Sequence, residues 1–191
     1  MSADAPPSAV LDSCILYPAP LRDFFMRLAV TLYQPLWTDD IHEEWIRNVL
    51  EDRPDQSRDQ LGRTRDLMDR YVGPCRVTGY EPLIETLTLP DSDDRHVLAA
   101  AIAANAPLIV TFNLKDFPSR ILATHGVRAV HPDAFALSLF DADAETFVAL
   151  VKKHRQALVN PAKSAPDYLA TLDGCGLTKT AARLQAYIDE I

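Results

Sequence analysis

The chain has 191 residues, 48% of them apolar, and a formal net charge of −8. That is enough apolar content for a sizeable core, in one domain or a domain with an appendage. The charge excludes a protein that coats nucleic acid nonspecifically over a large basic surface; an enzyme that touches nucleic acid over a small basic patch stays open. Cys14, Cys75 and Cys175 are odd in number and widely spaced, with neither CxxC nor Cys/His zinc spacing. They read as reduced thiols of a cytoplasmic protein. No basic-then-apolar signal peptide is read at the start. The longest apolar stretch, residues 97–110, is interrupted by Asn105 and Pro107 and is too short to span a bilayer, so no membrane association is expected.

Residues 1–7 are small and proline-containing and read as a loose end. Residues 9–11 form a brief strand that ends in Asp12. In parallel α/β sheets the carboxyl edge of a strand is where ligands bind. Pro18 and Pro20 allow a helix to begin, and Leu21, Phe24, Phe25, Leu28, Ala29 and Leu32 share one of its faces. Residues 34–37 are a short extended piece. Thr38 caps the next helix, with Asp39 and Asp40 in the first turn, where the dipole favours anions. Ile41, Trp45 and Val49 mark its apolar stripe, flanked by Glu43 and Glu44. Residues 51–70 carry dense charge of both signs and read as exposed helix, ended by Gly73-Pro74. Arg53, Arg58, Arg63, Arg65 and Arg70 alternate with acids there. A solvated face is the default reading, with an RNA-contacting lip as the alternative.

Residues 76–80 and 83–87 are moderately β-like. A helix over 93–104 is marked by Val97, Leu98, Ala101 and Ile102 at i, i+1, i+4 and i+5. Asp94 falls in its first turn, at the inner edge of the buried face. Leu108-Ile109-Val110 is a continuous apolar run, the mark of a central parallel strand. A short helix over 119–123 closes near Gly126, and 127–130 is one more strand. The order β-α-α-α-β-α-β-α-β points to a parallel α/β sheet flanked by helices. From Asp133 onward only helices are read. Phe147, Leu150, Val151 and Leu158 line one, over 146–158. Ser164 opens a capping box with Pro166 near N2. Gly174 and Gly176 bracket a turn, and Thr178 can cap a last helix over 179–191. The expected division is residues 1–132 and a helical C-terminal extension, 133–191.

Four acid-bearing places read as converging on a divalent metal: Asp12, Glu44, the Asp91/Asp93/Asp94 group, and the segment Thr111-Phe112-Asn113-Leu114-Lys115-Asp116. Hard cations such as Mg²⁺ or Mn²⁺ take oxygen ligands. Without a cation, carboxylates this close raise one another's pKa, so the site is expected to hold protons or a stray cation. Plainer roles stand beside these. Asp12 can be a turn-former, Asp91 an N-cap, and Asp93 a first-turn anion. Asn113 can be a strand-end turn residue, and Asp116 is open between ligand and surface acid. Thr111 or Ser13 can orient a metal water, and Arg95, His96 and Lys115 can meet phosphates. The five histidines show no metal spacing and read as structural or surface residues.

Four blocks, in this order, resemble a PIN domain of the kind found in VapC toxins: Val10-Leu11-Asp12-Ser13; Glu43-Glu44-Trp45-Ile46-Arg47; Asp91-Ser92-Asp93-Asp94-Arg95-His96-Val97-Leu98; and Ile109-Val110-Thr111-Phe112-Asn113-Leu114-Lys115-Asp116-Phe117. The resemblance covers roughly residues 8–130, and the helical tail is similar to the extension of one VapC-like subfamily. It implies a PIN-like α/β fold and a Mg²⁺- or Mn²⁺-dependent endoribonuclease. By the same resemblance the partners are an RNA substrate, a cognate antitoxin and a second copy in a homodimer. Asp12, Glu44 and Asp94 match the family's metal-binding acids, Glu44 being favoured over Glu43 by the Glu-Trp order. Where many relatives carry a fourth aspartate this chain has Asn113, with Asp116 three residues on. Asn113 and Asp116 are therefore site candidates, Asp116 as a metal ligand. The alternative reading is a degenerate PIN domain that binds RNA or protein without cleaving.

Overall fold

The computed structural model describes residues 6–191; most of the expected loose end, residues 1–5, lies outside the described residues. The sheet has four parallel strands in the order β2-β1-β3-β4: β1 (Ser8–Leu11), β2 (Gln34–Leu36), β3 (Leu108–Val110) and β4 (Arg128–Val130). Val10 pairs with Leu36 on one side and Ile109 on the other, and Ile109 pairs with Ala129. The two central strands, β1 and β3, are short apolar runs buried on both faces, as helix-covered parallel strands must be. Pro35 sits on the edge strand β2, where a missing backbone donor is tolerated.

Between the strands run α1 (Ser13–Leu16), α2 (Ala19–Leu28), α3 (Asp39–Asp52), α4 (Arg58–Val72), α5 (Glu81–Ile84), α6 (Arg95–Ala103) and α7 (Ser119–Leu122). Pro18 and Pro20 bracket the start of α2, Pro20 at a position whose N–H has no helical partner in any case. Thr38 caps α3 by accepting from the Ile41 amide at 3.1 Å. The charged stretch after it is not one helix. Residues 53–57, with Pro54, interrupt it, and α4 restarts at a Ser57/Gln60 capping box. Three arginines of that region are ion-paired, Arg58 with Glu43, Arg53 with Asp55 and Arg65 with Asp66, while Arg63 and Arg70 donate to the Asp59 and Asp66 carbonyls.

Two further expectations fail. Residues 76–80 and 83–87 join no strand of the sheet. Arg76 makes one isolated bridge to Trp37, and 81–84 is the short helix α5, with Pro82 in its first turn. Val77, Tyr80 and Leu87 there are buried by packing instead of strand pairing. The helix α2 also ends earlier than its pattern suggests, because the chain reverses at Val30, which has φ +71.

The C-terminal region is α8 (Pro132–Ala142), α9 (Ala144–Ala157), α10 (Ala165–Gly174) and α11 (Thr178–Leu184), with a 3-10 turn at Gln185–Tyr187. It shares the apolar core of the sheet region. Phe147 of α9 meets Phe24 edge-on at 6.1 Å, and Phe135 of α8 packs against Phe25 and Tyr33. Each buried phenyl ring contributes roughly 2–3 kcal/mol of transfer free energy, so these contacts fasten the extension to α2. Thr178 is not the cap of α11. It is the first helical residue, and the N–H groups of Lys179 and Thr180 donate instead to the carboxylate of Asp133, both at 2.9 Å. The last helix stops at Leu184, short of the expected 191.

Candidate metal centre

The carboxyl ends of β1 and β3 lie side by side, and Asp12 and Thr111 are the first residues past them. Asp12 is buried. Its Oδ1 accepts from the Ser13 amide at 2.6 Å, where it caps α1; its Oδ2 accepts from Thr111 Oγ1 at 2.6 Å and from Cys14 Sγ at 3.2 Å. Thr111 Oγ1 in turn accepts from the Asn113 amide at 2.9 Å, which folds the loop after β3 over the strand end. Burial and the adjacent Asp12 charge push the Cys14 thiol up to about 12, so it stays a neutral donor. The sequence reading missed this role of Cys14, since nothing local marks a thiol as a carboxylate's partner. Thr111 holds Asp12 directly.

Glu44 approaches from α3. Burial pushes its carboxyl up, but hydrogen bonds from His96 and Ser13 outweigh that and hold it below its ordinary value. His96 Nε2 lies 3.4 Å from Glu44 Oε2, while its Nδ1 is buried without a hydrogen-bond partner. His96 is thus a supporting residue of Glu44, a role the histidine spacing gave no sign of. Glu43 faces away and forms an exposed ion pair with Arg58 at 2.7 Å.

Asp94 stands at the N-terminus of α6 without capping it. Among the described residues its one side-chain donor is Asn113 Nδ2, at 3.4 Å. Burial, followed by the charges of Asp12, Asp91, Asp116 and Glu44, pushes its carboxyl up to about 7. Like charges thus add to burial at Asp94, whereas Glu44 goes the opposite way from the rise expected of the three acids. Asp12, Glu44, Asp94 and Asn113 line one cleft of about 460 Å³, together with Asn48, Glu51 and Asp52. Asp94 also meets Asp91 and Asp116; one oxygen from each lies within 4.8 Å of the others. Asp91 is not the N-cap of α6. It closes a turn by accepting from the Asp93 amide at 2.9 Å, and it stands in this acid group. Lys115 pairs with Asp116 at 3.7 Å, and Arg95 turns back to the Ser92 carbonyl.

The donor set suits a hard divalent cation. It is all carboxylate oxygen and amide, the neighbouring thiol is protonated, and Asp94 has almost no donor of its own. The fold and the site together define a parallel α/β protein with an acidic cleft at the carboxyl edge of its two central strands.

Residues 8–115 match the PIN domain family, and residues 132–186 match the family described as the VapC50 C-terminal domain. The first match covers more than half of the chain, which therefore belongs to the PIN domain family. Members of this family are in general hydrolytic nucleases that bind divalent metals. No curated protein matches the chain.

Proposed function

We propose that this protein is a Mg²⁺- or Mn²⁺-dependent endoribonuclease that hydrolyses RNA phosphodiesters, the toxin of a type II toxin–antitoxin pair. One observation carries the reading: Asp12, Glu44 and Asp94 line a single cleft, and their charges help drive Asp94 toward neutrality. When bound there, a divalent cation supplies a lowered water pKa and neutralises charge that grows on the phosphate. Asp12, Glu44 and Asp94 are the proposed ligands, with Asp116, which stands beside Asp94, as a fourth. Ser13, Thr111 and Cys14 fix the Asp12 carboxylate, so its ligand geometry is set before anything binds. Asn113 supports Asp94 and offers a neutral amide at the cleft for a phosphate oxygen.

The proposed organisation is a nuclease domain over residues 1–132 and an extension over 133–191. The proposed protein partners are the antitoxin and a second copy of the chain, in the cytoplasm. Leu67 and Tyr71 are exposed beside Met26 and Arg27, an apolar and basic groove that suits an amphipathic antitoxin segment. No helix among the described residues is long and apolar enough to cross a membrane.

A second reading rests on Asn113. Its amide already donates to Asp94 where many relatives carry another acid, which favours a module that binds RNA without cutting it. Cleavage of a structured RNA with EDTA, Mg²⁺ or Mn²⁺ separates the two. The nuclease reading expects metal-dependent cleavage that is lost in Asp12→Asn and Asp94→Asn. RNA binding without cleavage under any of these conditions overturns it in favour of the second.

A further inference from the structure

We infer that the helical extension acts as a brace for the acidic cleft, holding the Thr111–Asp116 loop in place through Gly176 and His131. The residue it grips is Phe112. Thr111 on one side of Phe112 donates to Asp12, and Asn113 on the other donates to Asp94. A shift of Phe112 therefore moves partners of two proposed ligands at once. Its amide also donates to Cys14 Sγ at 3.5 Å, which ties the same residue to a third group around Asp12.

Phe112 is partly exposed, and its ring is met by Gly176 of the extension and by His131, which joins β4 to α8. The His131 ring, at the N-cap of α8, meets the Phe112 ring edge-on at 5.1 Å. Gly176 closely approaches the far end of the ring. A Cβ there would come within 2.9 Å of Phe112 Cε1 and 3.3 Å of Cζ. Gly176 is also fixed by its own backbone, since it has φ +82 and follows the C-cap of α10. The Leu177 amide donates to the Leu172 carbonyl and the Gly176 amide to Asp173, the paired bonds of a Schellman stop. The left-handed turn calls for glycine, and a side chain there would also push the Phe112 ring aside.

The turn is anchored as firmly from the far side. Asp133, buried in the first turn of α8, accepts from the amides of Lys179 and Thr180 and from Thr180 Oγ1 at 2.7 Å. The Asp133 amide donates to His131 Nδ1 at 3.2 Å. One chain of contacts therefore runs from α11 through Asp133, His131 and Phe112 to Thr111 and Asn113. Groups that orient metal ligands typically change metal affinity when lost, by roughly 10–100-fold. Phe112, Gly176 and His131 are positioning residues in this sense; none is placed against the substrate.

The inference rests on the proposed metal site, so its test has one arm that needs no metal. Hydrogen exchange of the segment 108–116 is compared in the wild-type full chain, Phe112→Ala, Gly176→Ala and Tyr187→Ala. Tyr187 packs on Phe140 in the extension, away from the loop, and controls for lost stability alone. The second arm titrates Mn²⁺ well below each variant's melting transition. Phe112→Ala keeps the brace testable if the strained Gly176→Ala chain does not fold. Faster exchange of the segment and roughly tenfold weaker Mn²⁺ binding are expected in Phe112→Ala and Gly176→Ala, and neither in Tyr187→Ala. Unchanged exchange, or faster exchange with unchanged Mn²⁺ affinity, overturns the brace. A wild-type chain that binds no Mn²⁺ overturns the metal reading, and exchange still decides whether the extension holds the loop.

Discussion

Two aspartates near helix starts show how differently the two regions use one residue type. Asp133, in the extension, is buried with three donors on its carboxylate: the amides of Lys179 and Thr180 and the Thr180 hydroxyl. Asp94, at the sheet edge, has one donor at 3.4 Å and acids all around it. A satisfied buried carboxylate is a structural fastening. A carboxylate left short of donors among like charges destabilises the protein until a cation or a proton arrives. The contrast sets the proposed chemistry at the sheet edge against a fastening in the helices.

The contrast breaks most sharply at Asp12. Asp12→Asn keeps the shape and removes the ligand charge, and is expected to lower metal-dependent RNA cleavage by roughly a thousandfold, about 4 kcal/mol of transition-state stabilisation. Single-turnover cleavage at saturating Mn²⁺ checks it. Asp133→Ala is expected to cost roughly 2–4 kcal/mol of folding stability, because three donors lose their acceptor. Urea unfolding measures that directly.

Proton competition comes next. The Asp94 carboxyl is raised to about 7, and a cation must displace its proton. Mn²⁺ affinity is therefore expected to fall as pH drops below about 7, approaching tenfold per unit. A flat calorimetric profile there would remove Asp94 from the ligand set. The same shift has a stability sign. Between the ordinary carboxyl range and about 7 the folded chain binds more protons than the unfolded one, so this group's contribution falls as pH rises. Metal-free Asp94→Asn should accordingly be more stable than wild type at about pH 8. The gain is roughly 1–2 kcal/mol, discounted because the cleft is open to solvent. The smallest effect is expected at Glu43→Gln, which loses only an exposed pair with Arg58 and should leave both cleavage and melting temperature unchanged.

Much of the fold could be read from local pattern. The apolar runs before Asp12 and Thr111, the Thr38 cap and the α6 stripe each carry their own signal. Residues 76–87 misled because their apolar side chains fill the core without a strand to pair with, a decision made by tertiary packing. Asp12 and Asp94 were legible for the same local reason, since each flanks a recognisable element, whereas Glu44 lies inside α3 and was marked out by its place before Trp45. Their supports were not. His96, Asp133 and Gly176 act across long sequence separations, and no spacing announces that a glycine near the end of the chain meets Phe112; Cys14 is only two residues from Asp12, but a thiol carries no local mark of a carboxylate's partner. Asp91 was readable as a cap and serves instead in the acid group around Asp94.

The most direct test is a crystal of the full chain grown with Mn²⁺, examined by anomalous scattering at the manganese edge. The expected result is a peak in the cleft, at about 2.0–2.3 Å from carboxylate oxygens of Asp12 and Asp94, with Glu44 bound directly or through water. A saturated crystal with no anomalous peak in that cleft, or with manganese only at exposed acids elsewhere, would contradict the metal centre and the nuclease built on it.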